Sequence, residues 1–458
     1  MHLLVIPLTP AFFLFYTPSV KQFAWNINGH QGGRRKGVRR FKGFTRIPVS
    51  ERFFHSDCRE EKLNNHYANL PSGRFTVQAQ EAIVFGQPAG SALLAEADRY
   101  GAKRVFIIST RSLSRLENGP LQRIVKALGP RHVGTYPAVH AHSPREDVIA
   151  AAAAARAAGA DLLVAVGGGS VIDATKAVQM CLWLGLESVE AMEPYRGGVA
   201  ADIRRQIEPP DNPIRMVTVS TTLSASEFTP TSGVTDTKTQ AKQSFSYRLL
   251  VPRSVILDPA ATLDTPEWLL FSTGIRSVDH AVESYCSPLA NPATEALSLQ
   301  GLRLLSLALP RIKAEPQNLK ARLDAQFGMW QAITPAAAGA GSGASHGIGY
   351  VLGATFGVAH GHTSCVMLPA VLRWNAAVNG ERQQALSEAM GSPQKKAADL
   401  VARLVAVLDQ PGSLRAVNIK RENFEEIAER AMTYGPVRMN PRPIKGPAEV
   451  KEILELAW

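Results

Sequence analysis

Apolar residues follow two rhythms along this chain. Between residues 73 and 259, short apolar runs alternate with stretches of helical spacing. The unbroken runs at 104–109 and 162–166 predict strands buried on both faces, and 132–136 and 214–220 read as further strands. Residues 91–100, 121–128 and 146–158 place Ala and Leu at helical spacing, and a helix follows residue 169 to about Leu184. A Pro- and Gly-rich loop covers about 193–213. Strands alternating with helices predict a parallel α/β sheet covered on both faces. Beyond Asp258-Pro259 the strand-like runs thin out and Leu/Ala helical periodicity dominates. The expected organisation is an α/β domain over 73–259 and an all-α domain over 260–458, with a cleft between them.

The sharpest local signal is the strand 162–166 running into Gly167-Gly168-Gly169-Ser170, with helical spacing starting at once. Three residues without Cβ let backbone N–H groups approach a ligand, and the helix start adds the positive end of its dipole. Such a turn seats a pyrophosphate; a tight turn without ligand is the plain alternative. Asp173 and Lys176 lie three apart, on one helical face.

Composition narrows the class. The chain has 458 residues, 45% hydrophobic and 19% charged, enough for two or three domains with a large core. Its net charge of +11 invites a nucleic-acid reading. However, residues 1–75 carry 12 basic and four acidic side chains, net +8, leaving +3 for 76–458. The basicity belongs to a leader over 1–72, so nucleic-acid binding by the body is not expected. Residues 3–16 are apolar but contain Pro7 and Pro10 and are too short to span a bilayer, so no stable membrane insertion is expected. No acid occurs between Lys21 and Ser50. The leader reads as a transit-type or a disordered segment, giving a cytoplasmic protein or, in the first case, a mitochondrial one. Cys58, Cys181, Cys286 and Cys365 form no CxxC pair, which fits a reducing compartment.

Four segments carry chemistry: the glycine turn; the hydroxyl-rich 218–227 with Thr221, Thr222 and Ser224; residues 273–283 with Arg276 and His280; and 345–369 with His346, His360 and His362. In this order, with 249–252, 258–259 and Asn440-Pro441-Arg442-Pro443, they resemble the iron-containing alcohol dehydrogenase superfamily and its maleylacetate reductase-like branch. The resemblance spans about 74–458 and implies a dehydroquinate synthase-like architecture. It also implies an NAD or NADP cofactor held through Gly167, Gly168, Gly169, Ser170, Asp173, Thr221, Thr222 and Ser224, a cleft lysine at Lys242, and a small-molecule substrate. A homodimer is expected.

In metal-dependent members the cation is held by an Asp, a His four residues later and two further histidines. His280, His346 and His360 fill the histidine positions, but Arg276 stands where the Asp belongs. A guanidinium beside three imidazoles disfavours iron or zinc. The expectation is therefore an oxidoreductase that moves hydride to or from a carbonyl, alcohol or enone without metal. Arg276 would bind a substrate oxygen, with the three histidines as its catalytic companions. A metal-dependent alcohol dehydrogenase using His280, His346 and His360, and a non-catalytic nucleotide-binding protein, are the alternatives. Carbocycle formation on the dehydroquinate synthase model would need a richer array of phosphate-binding lysines and arginines than these segments place. At the end of the first predicted strand Ser109, Thr110 and Arg111 replace the acid that would grip a ribose, which leaves room for NADP.

Overall fold

The computed structural model describes residues 73–458 apart from Gln240; the basic leader and Cys58 lie outside the described residues. Six strands form one parallel sheet: β1 (Ala82–Phe85), β2 (Val105–Ile108), β3 (His132–Tyr136), β4 (Leu162–Gly167), β5 (Arg215–Ser220) and β8 (Ser254–Leu257). Their order is β1-β8-β5-β4-β2-β3, with every neighbouring pair parallel. The unbroken apolar runs are explained by burial, since every residue of β2, β4 and β8 is buried. Helices α1 (Ala89–Arg99) and α2 (Pro120–Leu128) share one hydrophobic cluster with the sheet. Helices α3 (Arg145–Ala157) and α4 (Gly169–Leu184) share the other, so both faces are covered. Gly185 ends α4 in the left-handed conformation (φ 64°), a position that suits glycine.

An antiparallel hairpin, β6 (Thr231–Asp236) and β7 (Ala241–Ser246), stands apart from this sheet and packs on α4. All described elements from Glu267 onward are helical: α5 (Glu267–Cys286), α6 (Pro292–Ala314), α7 (Leu319–Pro335), α8 (Ala344–Phe356), α9 (His360–Ala389), α10 (Ala397–Val407), α11 (Phe424–Ala431) and α12 (Pro447–Leu456). The first turn of α9 meets α5 backbone to backbone. A Cβ on Gly361 would lie 2.6 Å from the carbonyl carbon of Ser272, so only glycine allows this approach. That contact brings the histidine at the start of α9 beside α5. No described helix is long and apolar enough to cross a membrane.

Candidate active site

The carboxyl ends of β4 and β5 face the helical region across a cavity of about 660 Å³, as parallel sheets place their ligands. On the sheet side, α4 starts at Gly168 with no side chain capping it, which leaves its first N–H groups for a ligand. The glycines also have a packing role. A Cβ on Gly168 would lie 2.7 Å from Thr222, and one on Gly169 would lie 3.0 Å from Ser224. Thr221 and Thr222 are buried, and Thr222 lies under the glycine turn. Ser224 reaches the cavity wall and shares a 3.1 Å hydrogen bond with Thr222. Ser170 accepts from the His142 N–H (3.1 Å). Asp173 lines the cavity near Lys242, while its Oδ1 accepts from Ser226. Lys176 is wholly buried, 3.5 Å from Asp173. At the end of β2, the Ser109 hydroxyl is spent on Val166 O (2.8 Å), Thr110 caps the turn at Arg111–Ser114, and Arg111 is exposed.

On the helical side, α5 carries Arg276, Asp279, His280 and Glu283, a spacing that puts them on one face. Glu283 accepts from the N–H groups of Gly343 (2.7 Å), Ser345 (2.7 Å) and His346 (3.3 Å), so a side chain of α5 caps α8. The same carboxylate holds His346 Nδ1 at 2.7 Å. Asp279 Oδ2 accepts from Ser345 (2.8 Å) and Ser364 (2.5 Å). Arg276 is 3% exposed; its Nη1 donates to Ser364 Oγ (2.9 Å) and lies 3.8 Å from Asp279. The rings of His280 and His346 are 5.0 Å apart, and Tyr350 lies parallel to His360 at 6.4 Å. The Arg276 guanidinium sits 5.8 Å from the Tyr350 ring centre. The structure thus gathers Arg276, His280, His346 and His360 around one cavity. His362 instead faces Trp268, and Cys365 is a buried thiol whose pKa burial raises.

Burial and the neighbouring guanidinium keep these imidazoles neutral. The His346 pKa is pushed down to about 3 by burial and then by Arg276. His280 is held well below its ordinary value by burial, and His360 by the charge of Arg276 first and burial second. Burial pushes Glu283 up to about 7 against the pull of its three N–H donors. Buried nitrogens remain without partners: His280 Nδ1, His346 Nε2 and Arg276 Nε. The donor atoms of Asp279, Glu283 and His346 lie within 4.8 Å of one another; hydrogen bonds occupy Asp279 Oδ2, Glu283 Oε2 and His346 Nδ1, while Asp279 Oδ1 has no partner. Sequence reasoning gave no role to Glu283 or Tyr350. The spacing of Tyr350 from His346 (i, i+4) was the available signal, whereas the helix that Glu283 caps is 60 residues away.

Two family models match the chain: iron-containing alcohol dehydrogenase over residues 80–259, and the C-terminal part of the Fe-containing alcohol dehydrogenase family over 270–458. The chain is 32% identical to the dehydrogenase FUM7 of Gibberella moniliformis, over 86% of this chain and 99% of that one. It is 31% identical to a maleylacetate reductase of Burkholderia cepacia, over 82% and 95%. The crystal structure of maleylacetate reductase from Rhizobium sp. superposes with a TM-score of 0.69 at 26% identity, over 85% of this chain and 98% of that one. A 1,3-propanediol oxidoreductase gives a TM-score of 0.76 at 26% identity, over 84% and 100%.

Proposed function

The chain belongs to the iron-containing alcohol dehydrogenase family, and we propose that it is a maleylacetate reductase-like, NAD(P)-dependent enzyme in which Arg276 replaces the metal ion of metal-dependent members. Residues 73–259 supply the cofactor side of the cleft and 260–458 the catalytic side. The observation that carries this reading is the burial of Arg276 among His280, His346 and His360. Three neutral imidazoles and a carboxylate suit a divalent cation. The same imidazoles around a fixed guanidinium do not: each unit of like charge about 5 Å away costs about 3 kcal/mol at an effective dielectric near 20, so a divalent cation there costs about twice that. Ser364 and Asp279 anchor Arg276, so it does not vacate the centre for solvent.

The uncapped start of α4, with Ser224, Asp173 and Lys242 along the cavity, fits a dinucleotide. Bound there, the nicotinamide supplies or takes up hydride. Arg276 offers N–H donors where a carbonyl or carboxylate oxygen gains negative charge. His346 holds its Nδ1 proton toward Glu283, so Nε2 presents a lone pair to the cavity. It can therefore accept a hydrogen bond from a substrate hydroxyl and orient it, while its low pKa keeps it from storing the proton. Burial raises the Tyr350 phenol, which keeps its proton at neutral pH and can donate it to the reduced oxygen.

One feature favours the metal-dependent alternative: the free nitrogens of His280 and His346 are the kind a cation takes. Metal content decides between the two. Protein incubated with Fe(II) or Zn(II) and then desalted should retain well below one equivalent, and chelator should leave NADH-dependent reduction of maleylacetate intact. Arg276→Asp should gain metal while losing at least ~100-fold in activity on a carboxylated substrate. Stoichiometric metal in the wild-type protein would overturn the assignment of Arg276.

A further inference from the structure

Helix α8 turns one face to the cleft. His346, Tyr350, Gly353 and Ala354 all line the cavity, at the i, i+4, i+7 and i+8 spacing of a single helical face. The chemistry sits at the start of that face, where His346 is buried and its Nε2 has no partner. Two turns further on, about 10 Å along the helix, the same face carries almost no side chain. Gly357, which ends the helix at φ 68°, continues the bare wall.

Glycine inside a helix is destabilising relative to alanine, so each one needs a compensating reason. Gly347 has one, because a Cβ there would overlap Val437. Gly349 has another, since its Cβ would lie 2.9 Å from Thr363 Oγ1. Gly353 has none within the fold. Its backbone is not left-handed, and a Cβ there would meet only Val358 O, at an ordinary 3.6 Å. The space its side chain would take belongs to the cavity. The helical side of the cleft adds Ile333, Ala336 and Val358. Apart from Arg276 and three neutral histidines, that side presents no ionisable group but the phenols of Tyr350 and Tyr434. Lys242 and Asp173 stand on the other side, on β7 and α4.

We propose that the wall of α8 beyond Tyr350 is an apolar substrate subsite, and that Gly353 sets how large a substituent it takes. The substrate's carboxylate or carbonyl oxygen lies at Arg276, and an alkyl or aryl arm runs toward Gly353 and Ala354. The proposal rests on the reading of Arg276 as the substrate anchor. The arm keeps to the helical side and leaves the start of α4, Ser224 and Lys242 to the cofactor.

Straight-chain carboxylates from acetate to octanoate, titrated into the protein–NADH complex by calorimetry, test this. Affinity should rise roughly 3-fold per methylene as the chain covers the apolar wall. Gly353→Leu fills the wall with a good helix former. It should bind octanoate at least 10-fold more weakly than the wild type, with acetate and NADH binding unchanged. Ala354→Leu, at an exposed position of the same face, should act in the same sense and decides the matter if Gly353→Leu does not fold. Gly353→Ala should raise the melting temperature, because nothing in the fold excludes its methyl group. A lower melting temperature would mean that the fold itself requires this glycine, and would overturn the subsite. A flat series in the wild type, or octanoate affinity untouched by the leucine variants, would overturn it as well. Loss of NADH binding in those variants would assign the space to the nicotinamide ring and not to substrate. If no carboxylate binds the wild type, the reading of Arg276 fails instead; 1-alkanols of the same lengths, compared between wild type and variants, would still decide the subsite.

Discussion

Glu227 shows how far one buried side chain can set the response to pH. It is fully buried, and neither carboxylate oxygen has a partner; the nearby Ser220 hydroxyl donates to Thr222 O (3.0 Å) instead. Burial pushes its pKa from 4.5 up to about 7. The folded state therefore holds this proton more tightly than the unfolded chain. The resulting stability is fully present below pH 4.5 and is lost as pH rises through about 7. The buried histidines act in the opposite sense. His346, lowered to about 3, makes the fold lose stability as pH falls from 6.5 toward 3, because the unfolded imidazole takes a proton the folded one refuses. Glu227→Gln keeps the shape, removes only the first effect and leaves the histidines alone. Its melting temperature relative to wild type should rise between pH 5 and pH 8, by an amount reflecting on the order of 2–3 kcal/mol. Parallel melting curves across that range would show that Glu227 titrates normally.

Helix α4 joins the glycine turn to the loop that lines the cleft, and Lys176 makes that connection. Its Nζ donates to Ser226 O (2.7 Å), Ser226 Oγ (3.2 Å), Thr229 Oγ1 (3.4 Å) and Thr231 O (2.9 Å). Lys176→Met would fill the space but take the charged donor from the Ser226 and Thr231 carbonyls and leave Asp173 without its cation. The expected cost is about 2–4 kcal/mol in denaturant unfolding, with NADH affinity down roughly 10-fold as Ser224 and Ser226 loosen. A stability change under ~1 kcal/mol with an unchanged NADH titration would mean the loop holds itself. Such ties account for what the sequence does and does not disclose. Strands β2, β4 and β5 were legible because burial on both faces requires continuous apolar runs, and α4 because glycine punctuation marks both its ends. Strand β1 is only partly buried along its length, so no buried apolar run marks it, and β8, as short and as buried as β2, went unread between Pro252 and Asp258-Pro259. Hairpin β6–β7 was missed because its strands are mostly polar and no Asn-Gly turn joins them. At the site, Arg276 and His280 were legible through the family resemblance, which implies an Asp four residues before the first histidine, and not through any local pattern. The Glu283 clamp on α8 is tertiary, with no local pattern to reveal it.

For the whole molecule, the question is what the described residues can do without the leader. The six-stranded sheet, the helices that cover it, the cleft and both family matches all lie within residues 73–458. Most of the net charge does not: residues 1–75 hold +8 of the total +11. A chain beginning at Gly73 should therefore fold and melt cooperatively within a few degrees of the full protein. NADH binding should match that of the full chain, because the groups that would hold the cofactor, from the start of α4 to Lys242, are all retained. Salt should then separate the two forms. Any extra attraction the leader exerts on an anionic cofactor is screened over about 10 Å at 0.1 M ionic strength. NADH titrations at low and high salt should accordingly converge on the values of the shortened chain, and the shortened chain should vary less. Loss of soluble, NADH-binding protein on removing residues 1–72 would show that the leader is part of the fold. A weaker salt response in the full chain than in the shortened one would show that the leader's charge is neutralised within the molecule rather than presented to ligands.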